Sequence, residues 1–307
     1  MPARVRSFRG WPAVALSGGD YEATFVPALG LLGVSLAWRG EQLLSLHGGI
    51  DGWRRGHTTG MPLLAPWANR LATTAYRFGG TAVDLRRLRS IHHDENGLPI
   101  HGTLLGEHPW SVATVRDGED HGRLEATFDY TTPVLLRPFP FPHRLRVAIE
   151  VGPEGLTVDT SVTPSGRRRV PISFGWHPYF RLPEGRRDEW RLEMPPCRRL
   201  TLDEHHIPIG ATVREAGGTV SLHTRTFDDG FALGGDRRFA LEDDSTRLTI
   251  ESGAGYPFAQ VFAPAGKPFV AIEPMTAPTN ALVTGNHPFV APKETFVATF
   301  SIEADNA

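Results

Sequence analysis

The most regular feature of this chain is an alternation of apolar and polar residues. Apolar side chains recur at every second position in three stretches, 124–130, 145–151 and 296–302. Because successive side chains of a strand point to opposite faces of a sheet, each stretch is expected to form a strand with one buried face. Regular helical periodicity is hard to find anywhere in the sequence. The pattern therefore predicts a protein built mostly of β-strands.

Glycine and proline punctuate the chain between these stretches, as in GPEG at 152–155. The segment 31–46 is ambiguous, but Gly33 and Gly40 favour two strands and a turn over a helix. Many short strands separated by turns are typical of an antiparallel sandwich or barrel. No linker, shift in composition or internal repeat divides the chain, so we expect residues 1–307 to form one domain.

Composition excludes several classes of function. The 32 lysines and arginines are balanced by 34 aspartates and glutamates, so no overall basic field would hold nucleic acid. The single cysteine, Cys197, rules out an internal disulfide and suits a reducing cytoplasm. No apolar stretch is long enough to span a membrane, and residues 1–20 lack the apolar centre of a signal peptide. We expect a cytoplasmic protein without nucleic-acid or membrane partners.

Two local runs of arginine, Arg167–Arg169 and Arg186–Arg187, stand out against this balance. One interpretation is that they only solvate surface loops, as most surface charges do. The other is that they bind a phosphate or sulfonate group on a sugar, because the guanidinium fork matches such anions. The sequence leaves both open.

Two segments in the first third of the chain place polar residues among apolar ones. Arg70 lies in 60–80, between prolines, a tryptophan and apolar residues, so a buried arginine there needs a partner or a ligand. His101 lies between Ile100 and a glycine, where either a structural or a functional histidine would fit. The nearby 92–94 run, HHD, lacks the spacing of known zinc sites, and we expect no metal.

Two later segments have the composition of a ligand pocket. His177 is surrounded by aromatic residues in 172–183, and aromatic rings with a few polar groups suit the apolar faces and hydroxyls of a sugar. Glu273 follows the apolar stretch 269–272 and precedes Pro274, so it should end a buried strand. A carboxylate there would have a raised pKa and could act as a base. An aromatic core with an incidental histidine, and a structural glutamate, are the alternatives.

The order of five motifs carries more information than any one of them. PWANR, IHG, GWHPYF, DDGF and IEP follow one another between about Gly60 and Leu282. This order resembles the aldose 1-epimerase (galactose mutarotase) family. The resemblance implies an all-β fold, a large antiparallel β-sandwich with an open carbohydrate cleft. It also implies a monosaccharide substrate and no metal or other cofactor.

The resemblance further implies roles for individual residues. Glu273 is similar to the family's general base, His177 to its general acid and His101 to its second active-site histidine. Arg70 and Asp228 are similar to its sugar-binding residues, and Asn69 and Trp67 to residues that line the cleft. Asp228 is chosen over Asp229 because the family's aspartate lies three residues before an aromatic residue, here Phe231.

Mutarotation needs only proton transfers, since a cyclic hemiacetal opens when one proton leaves the C1 hydroxyl and another reaches the ring oxygen. Two other classes compete on the same residues. A glycoside hydrolase could use Glu273 and Asp228 as its carboxylate pair, but its histidines would then have no role. A sugar-binding protein without activity would not need Glu273 together with His177. The identity of the sugar, neutral or anionic, stays open.

Overall fold

The computed structural model describes residues 4–88, 90–117, 120–223 and 225–307. Strands make up 52% of the residues and helices 7%, which confirms the predicted all-β class. The strands, numbered in chain order, are β1 Arg4–Phe8, β2 Trp11–Gly18, β3 Tyr21–Val26, β4 Leu32–Trp38, β5 Glu41–Gln42, β6 Leu63–Leu64, β7 Ala75–Phe78, β8 Thr81–Asp84, β9 His92–His93, β10 Pro99–Ile100, β11 Ser111–Asp117, β12 Gly122–Tyr130, β13 His143–Gly152, β14 Gly155–Pro164, β15 Val170–Pro171, β16 Gly175–Trp176, β17 Tyr179–Phe180, β18 Arg191–Met194, β19 Cys197–Leu202, β20 Pro208–Glu215, β21 Gly218–Ser221, β22 Phe227–Leu233, β23 Arg238–Glu242, β24 Thr246–Ser252, β25 Phe258–Ala263, β26 Val270–Met275, β27 Phe289–Val290 and β28 Phe296–Asn306. The helices are short: α1 Gly49–Arg54, α2 Pro133–Leu136, α3 Ala281–Thr284, and single 3-10 turns at Pro27–Leu29 and Arg187–Glu189.

Three large antiparallel sheets organise these strands. The first has five strands in the order β1-β2-β3-β4-β5. The second has nine, in the order β11-β12-β13-β14-β28-β24-β23-β18-β21. The third has eight, in the order β20-β19-β22-β25-β26-β16-β6, with β17 also paired to β26. The last strand, β28, lies at the centre of the nine-stranded sheet, where it pairs with β14 from the middle of the chain and with β24.

The main core lies between the eight-stranded and nine-stranded sheets. Trp176 of the first packs against Phe300 of the second with ring centroids 5.9 Å apart. Its indole N–H donates to the Thr160 hydroxyl at 2.9 Å, so the one polar atom of this buried side chain is satisfied. Burying each such large apolar side chain contributes about 1.5–3 kcal/mol. Packing between the two sheets therefore holds the eight-stranded sheet in place, and with it the residues on its outer face.

The predicted alternation is confirmed in the strands that line this core. Leu124 and Ala126 of β12 are fully buried, and Val147 and Ile149 of β13 lie opposite them in register. The ambiguous segment 31–46 forms two strands, β4 and β5, joined at a turn, as predicted. In β12 and β13 one face of the strand has removed its apolar side chains from water, which is the signal that the sequence carried.

The strand that carries Glu273 is longer than the sequence suggested. We expected Glu273 to end its strand, but β26 continues through Pro274 to Met275. Pro274 is tolerated because the ladder to β25 continues on either side of it, with Glu273 opposite Gln260 and Met275 opposite Phe258. Val270 and Ile272 point into the core, so Ala271 and Glu273 point to the outer face of the sheet. The carboxyl group is thus fixed by a central strand.

Candidate active site

A pocket of about 420 Å³ opens on the outer face of the eight-stranded sheet. This volume lies in the range of small-molecule sites, about 300–1,000 Å³. Six of the seven residues singled out in the sequence line it: Asn69, Arg70, His101, His177, Asp228 and Glu273. These residues come from positions spread over two hundred residues of the chain, so the fold alone brings them together.

Two loops hold each other at one side of the pocket. The backbone N–H of His101 donates to the carbonyl of Asn69 at 3.1 Å, and the backbone N–H of Asn69 donates to His101 Nδ1 at 3.2 Å. Both residues have the positive φ that is uncommon outside glycine, 57° for Asn69 and 60° for His101. A Cβ atom on the next residue, Gly102, would lie 2.2 Å from the carbonyl oxygen of Ala65, so only glycine fits there.

The hydrogen bond from the backbone N–H of Asn69 determines the tautomer of His101. Because Nδ1 accepts a hydrogen bond, the neutral ring carries its proton on Nε2. Burial is the largest cause that lowers the pKa of His101 well below its usual 6.5. The neighbouring His177 and Arg70 lower it further. His101 is therefore a neutral hydrogen-bond donor towards the pocket.

Arg70 is almost completely buried and is paired with carboxylates. Its Nε donates to Asp94 Oδ2 at 2.7 Å, and its Nη1 lies 3.6 Å from Asp228 Oδ2. Asp94 is held in turn by the backbone N–H groups of Asn96 and Leu98. Although burial raises the pKa of Asp94, these hydrogen bonds and the one from Arg70 lower it overall. The partner that a buried arginine requires is thus Asp94, whose own position is set by a turn.

The two adjacent aspartates of β22 lie on opposite faces of the sheet. Asp228 points into the pocket, where its Oδ1 accepts a 2.7 Å hydrogen bond from Gln260 Nε2 and its Oδ2 lies 3.3 Å from His206 Nδ1. Asp229 points away from the pocket and lies 3.6 Å from Arg199. The alternation of side chains along a strand therefore places the residue predicted from the sequence, Asp228, at the site.

His177 lies between β16 and β17, and its ring is held on three sides. It stacks on Tyr179 with ring centroids 4.4 Å apart and meets the ring of His101 edge-on at 5.7 Å. The Tyr179 hydroxyl lies 3.2 Å from His177 Nε2 and 2.5 Å from the Thr58 hydroxyl. Burial lowers the pKa of His177 from its usual 6.5 to about 3, and a hydrogen bond to the backbone of the same residue opposes this shift only in part.

Glu273 is buried beside this histidine. Its Oε1 lies 3.3 Å from His177 Nε2, while its Oε2 has no hydrogen-bond partner among the described residues. Burial raises the pKa of Glu273 well above its usual 4.5, and the nearby Asp228 raises it further. A buried carboxyl oxygen without a partner costs free energy, so its position at a pocket is a mark of a functional group.

Both shifts favour the neutral forms, a protonated carboxyl group beside an uncharged imidazole, and this state of the pair contains one proton. That proton can lie on the Glu273 carboxyl beside a neutral imidazole, or on His177 beside a carboxylate. The two arrangements contain the same number of protons and differ only by a transfer across the 3.3 Å contact. The pair can therefore take up a proton at one atom and release one at the other.

The expectation that Trp67 lines the cleft is not met. Its side chain is fully buried in the core, and its backbone bridges to Ser173 below the pocket. Phe174, Trp176 and Phe180, which surround His177 in the sequence, are also core residues. The three aromatic residues lie one or three positions from His177, so alternation puts them on the opposite face. Trp67 lies two positions before Asn69, but the positive φ of Asn69 interrupts the strand geometry, so alternation does not relate these two side chains.

Several pocket residues were missed in the sequence. They are Thr58, Asp94, Glu95, Tyr179, Gln260 and Phe262. Tyr179 carried a usable signal, since it lies two positions after His177 in an extended segment and so shares its face. Gln260 is recognisable only from the pairing of β25 with β26, where it lies directly opposite Glu273.

Neither arginine run lines this pocket. Arg187 is buried and donates to the carbonyls of Leu222, Arg225 and Ala263, while Arg186 pairs with Asp188 at 3.0 Å. Arg167–Arg169 lie in a different groove. In the described ranges, no group of three His, Cys, Asp or Glu side chains is arranged to hold a metal ion. The same ranges contain no helix long and apolar enough to cross a membrane.

Comparison with known proteins places these observations in a family. The sequence model of the aldose 1-epimerase family matches residues 34–302. The protein YihR of Escherichia coli (strain K12) is 26% identical over 299 residues, which cover 89% of this chain and 86% of that protein. A galactose mutarotase-like protein from Clostridium acetobutylicum has a similar structure, with a TM-score of 0.87, 21% identity, and coverage of 100% and 99% of the two chains.

A galactose 1-epimerase from Lactobacillus acidophilus NCFM shares the fold with a TM-score of 0.78 at 15% identity, covering 98% of this chain and 97% of that one. These likenesses confirm the galactose mutarotase-like fold, a β-sandwich, that the motif order implied. The family match extends over most of the chain and includes all five motifs. This protein belongs to the aldose 1-epimerase family.

Proposed function

We propose that this protein is a mutarotase that interconverts the α and β anomers of a neutral aldose without a cofactor. The observation that carries the proposal is the contact between Glu273 and His177, two buried groups 3.3 Å apart at the floor of a sugar-sized pocket. Membership of the aldose 1-epimerase family supports the reaction class. The geometry described above supports the roles proposed here for individual residues.

The separation of the two groups suits the reacting atoms of a sugar. The C1 hydroxyl and the ring oxygen are bonded to the same carbon, so a donor and an acceptor that lie side by side can reach both. The contact between Glu273 and His177 has the two groups approach the hemiacetal from one side. Each positioned proton-transfer group contributes about 10²–10⁴ to the rate.

In the forward direction Glu273 removes the proton of the C1 hydroxyl while His177 protonates the ring oxygen. For this step the single proton of the pair must lie on His177, which it reaches across the contact with Glu273 Oε1. The C1–O5 bond breaks, the aldehyde turns about C1–C2, and the ring closes on the other face. His177 and Glu273 exchange roles on closure, so the protein returns to its starting protonation.

Other pocket residues hold the sugar in place. His101 donates through Nε2 and is fixed in that tautomer by the backbone of Asn69. Asp228, oriented by Gln260 and by Arg70, accepts from sugar hydroxyls. Phe262, which is only partly buried, offers its ring for the apolar face of the sugar. Holding the substrate in line with the reacting groups is a large part of such catalysis.

The charges around the pocket favour a neutral sugar over an anionic one. Arg70 is the one arginine or lysine that lines it within the described ranges, and Asp94, Glu95 and Asp228 lie within 4 Å of that guanidinium. A phosphate or sulfonate would meet an excess of carboxylates there, which costs free energy at short range. Hydroxyl groups, which both donate and accept, fit this set.

The alternatives make different demands on the same residues. A glycoside hydrolase would need Asp228 free to act, but Asp228 is held by Gln260, Arg70 and His206. A binding protein would have no use for the unpartnered Oε2 of Glu273 beside His177. Neither alternative accounts for the shared proton of the pair.

The test is the rate of anomerisation of freshly dissolved α-D-galactose and α-D-glucose, followed by NMR with and without protein. We expect acceleration of at least one of them, and none with the Glu273→Gln variant. Methyl glycosides, assayed for released reducing sugar, should stay intact. Sugar binding without acceleration would overturn the proposal in favour of a binding protein, and release of reducing sugar would favour a hydrolase.

A further inference from the structure

A second groove, remote from the pocket, is lined by the first arginine run. Arg167–Arg169 are exposed in the segment between β14 and β15 and face the hairpin formed by β7 and β8. The groove has a volume of about 610 Å³, and none of its lining residues belongs to the sugar pocket. Whatever it binds is therefore separate from the proposed mutarotase reaction.

The positive charges of this groove are not neutralised by the protein. No carboxylate of the described residues lies within 4.0 Å of the guanidinium groups of Arg167, Arg168 or Arg169. Arginines elsewhere on the surface have such partners, for example Arg144 with Asp129 at 2.7 Å. Three adjacent uncompensated charges create a local positive potential at the groove.

Two of the three arginines are held in place by neutral groups. Arg168 Nη1 donates to the Thr81 hydroxyl at 3.3 Å, which links the arginine segment to the hairpin across the groove. The guanidinium of Arg169 lies 4.8 Å from the centre of the Phe289 ring, an aromatic side chain that is 47% exposed. Such partners restrict the side chains without cancelling their charge. The side chains therefore lose less conformational entropy when an anion binds.

The opposite wall leaves room for a ligand. The hairpin turns at Gly79 and Gly80, whose φ values of 54° and 80° give the tight two-residue turn that glycine favours. Within the described part of the chain, no atom lies within 4 Å of the position that a Cβ would occupy at either residue, so those residues leave the lip of the groove open. The floor is closed by Phe78, which packs edge-on against Phe141 at 5.4 Å.

We propose that this groove is a binding site for a phosphate-type oxyanion carried by a small molecule. A guanidinium presents parallel N–H donors that match two oxygens of such a group, and hydrogen bonds between charged partners are stronger than neutral ones. Two or more fixed guanidinium groups around one anion require at least two negative charges for balance. Inorganic phosphate, diphosphate and sugar phosphates share this chemistry.

The test is isothermal titration calorimetry with diphosphate at low ionic strength. We expect the double variant Arg167→Gln, Arg168→Gln to weaken binding by about tenfold or more, which corresponds to the loss of one or more charged hydrogen bonds. Its mutarotation rate should equal that of the unmodified protein, because neither residue lines the sugar pocket. That rate also shows that the variant is folded.

The matched control is Arg198→Gln, Arg214→Gln. These two exposed arginines lie opposite each other on β19 and β20, and Arg198 donates to the Thr212 hydroxyl at 2.9 Å, as Arg168 does to Thr81. The control removes the same charge without changing a groove, so diphosphate binding should stay within about twofold. Equal weakening in both variants would mean a general charge effect and would overturn the proposal.

Titrations with inorganic phosphate and glucose 6-phosphate then distinguish the sources of the anion. Loss of affinity for either ligand in the groove variant, with the control unchanged, supports the site. Two results would contradict it. One is no heat of binding for any of the three ligands. The other is binding of glucose 6-phosphate that glucose displaces, because the sugar pocket would then be responsible.

Discussion

The sugar pocket and the arginine groove differ in whether carboxylates of the protein compensate the charge of their arginines. In the pocket, Arg70 is buried and has Asp94 at 2.7 Å, with Asp228 close by. In the groove, Arg168 and Arg169 are exposed, and their partners among the described residues are a hydroxyl and an aromatic ring. A buried charge must be compensated by the protein, whereas an exposed one can leave its compensation to a ligand. The first arrangement suits a neutral polar molecule and the second an anion.

The largest expected effect concerns the proton-transfer pair, which the groove lacks. Glu273→Gln and His177→Ala should each lower kcat for mutarotation by about 10²–10⁴, because each removes one positioned proton-transfer group. Glu273→Gln should not lower the melting temperature, since it replaces a buried acid by a neutral group of the same shape. Circular dichroism checks the fold. Rates near those of the unmodified protein in either variant would remove that residue from the mechanism.

The next prediction compares substitutions on the two faces of β22. Asp228→Asn should raise KM by about 10–100-fold, because hydrogen bonds from sugar hydroxyls to a carboxylate are stronger than those to an amide. Asp229→Asn changes the adjacent residue by the same atoms but lies on the other face, beside Arg199, and should leave KM within about twofold. Equal effects of the two substitutions would mean that the distinction between the faces is irrelevant to binding.

A third experiment would make the pocket resemble the groove. Asp94→Asn removes the compensating charge of Arg70 but keeps an oxygen that can accept from the backbone of Asn96 and Leu98. We expect phosphate to become a competitive inhibitor of mutarotation, with affinity increased by about tenfold over the unmodified protein. If phosphate inhibits both proteins equally, compensation by Asp94 does not determine the preference for neutral sugars.

The smallest effect is the dependence of kcat/KM on pH around neutrality. Because burial lowers the pKa of His177, a second proton should enter the pair only well below the usual histidine value of 6.5. Because burial raises the pKa of Glu273, the first proton should leave only well above the usual 4.5. The value of kcat/KM should therefore be nearly constant as the pH falls through 6.5. It should decline only at a lower pH, where the second proton enters the pair. A decline centred at 6.5 would indicate a solvated histidine.

The sequence predicted the fold and most of the site for different reasons. Alternation along β12 and β13 reports burial directly, so the strands could be recognised without any neighbour. The motif order identified Glu273, His177 and His101, which the fold brings together. Trp67 was misplaced because the motif does not show that the backbone leaves strand geometry at Asn69, so the side chain of Trp67 lies in the core while that of Asn69 lines the pocket.

The sequence could not predict residues whose role depends on contacts between distant segments. Gln260 becomes part of the site only because β25 lies beside β26 in one register. Asp94 belongs to it because a turn closes over its carboxylate and Arg70 reaches it from another loop. Neither contact leaves a periodic signal in the residues around it.

The continuation of β26 beyond Glu273 also bears on the motions that this protein needs for turnover. The backbone on both sides of the carboxyl group is paired with β25, so local opening there would require breaking a central ladder. Amide hydrogens of β25 and β26 should therefore exchange with solvent only through global unfolding, far more slowly than those of the loop that carries His206. In the proposed reaction, the position of the base is therefore set by a central strand and does not depend on the movement of a loop.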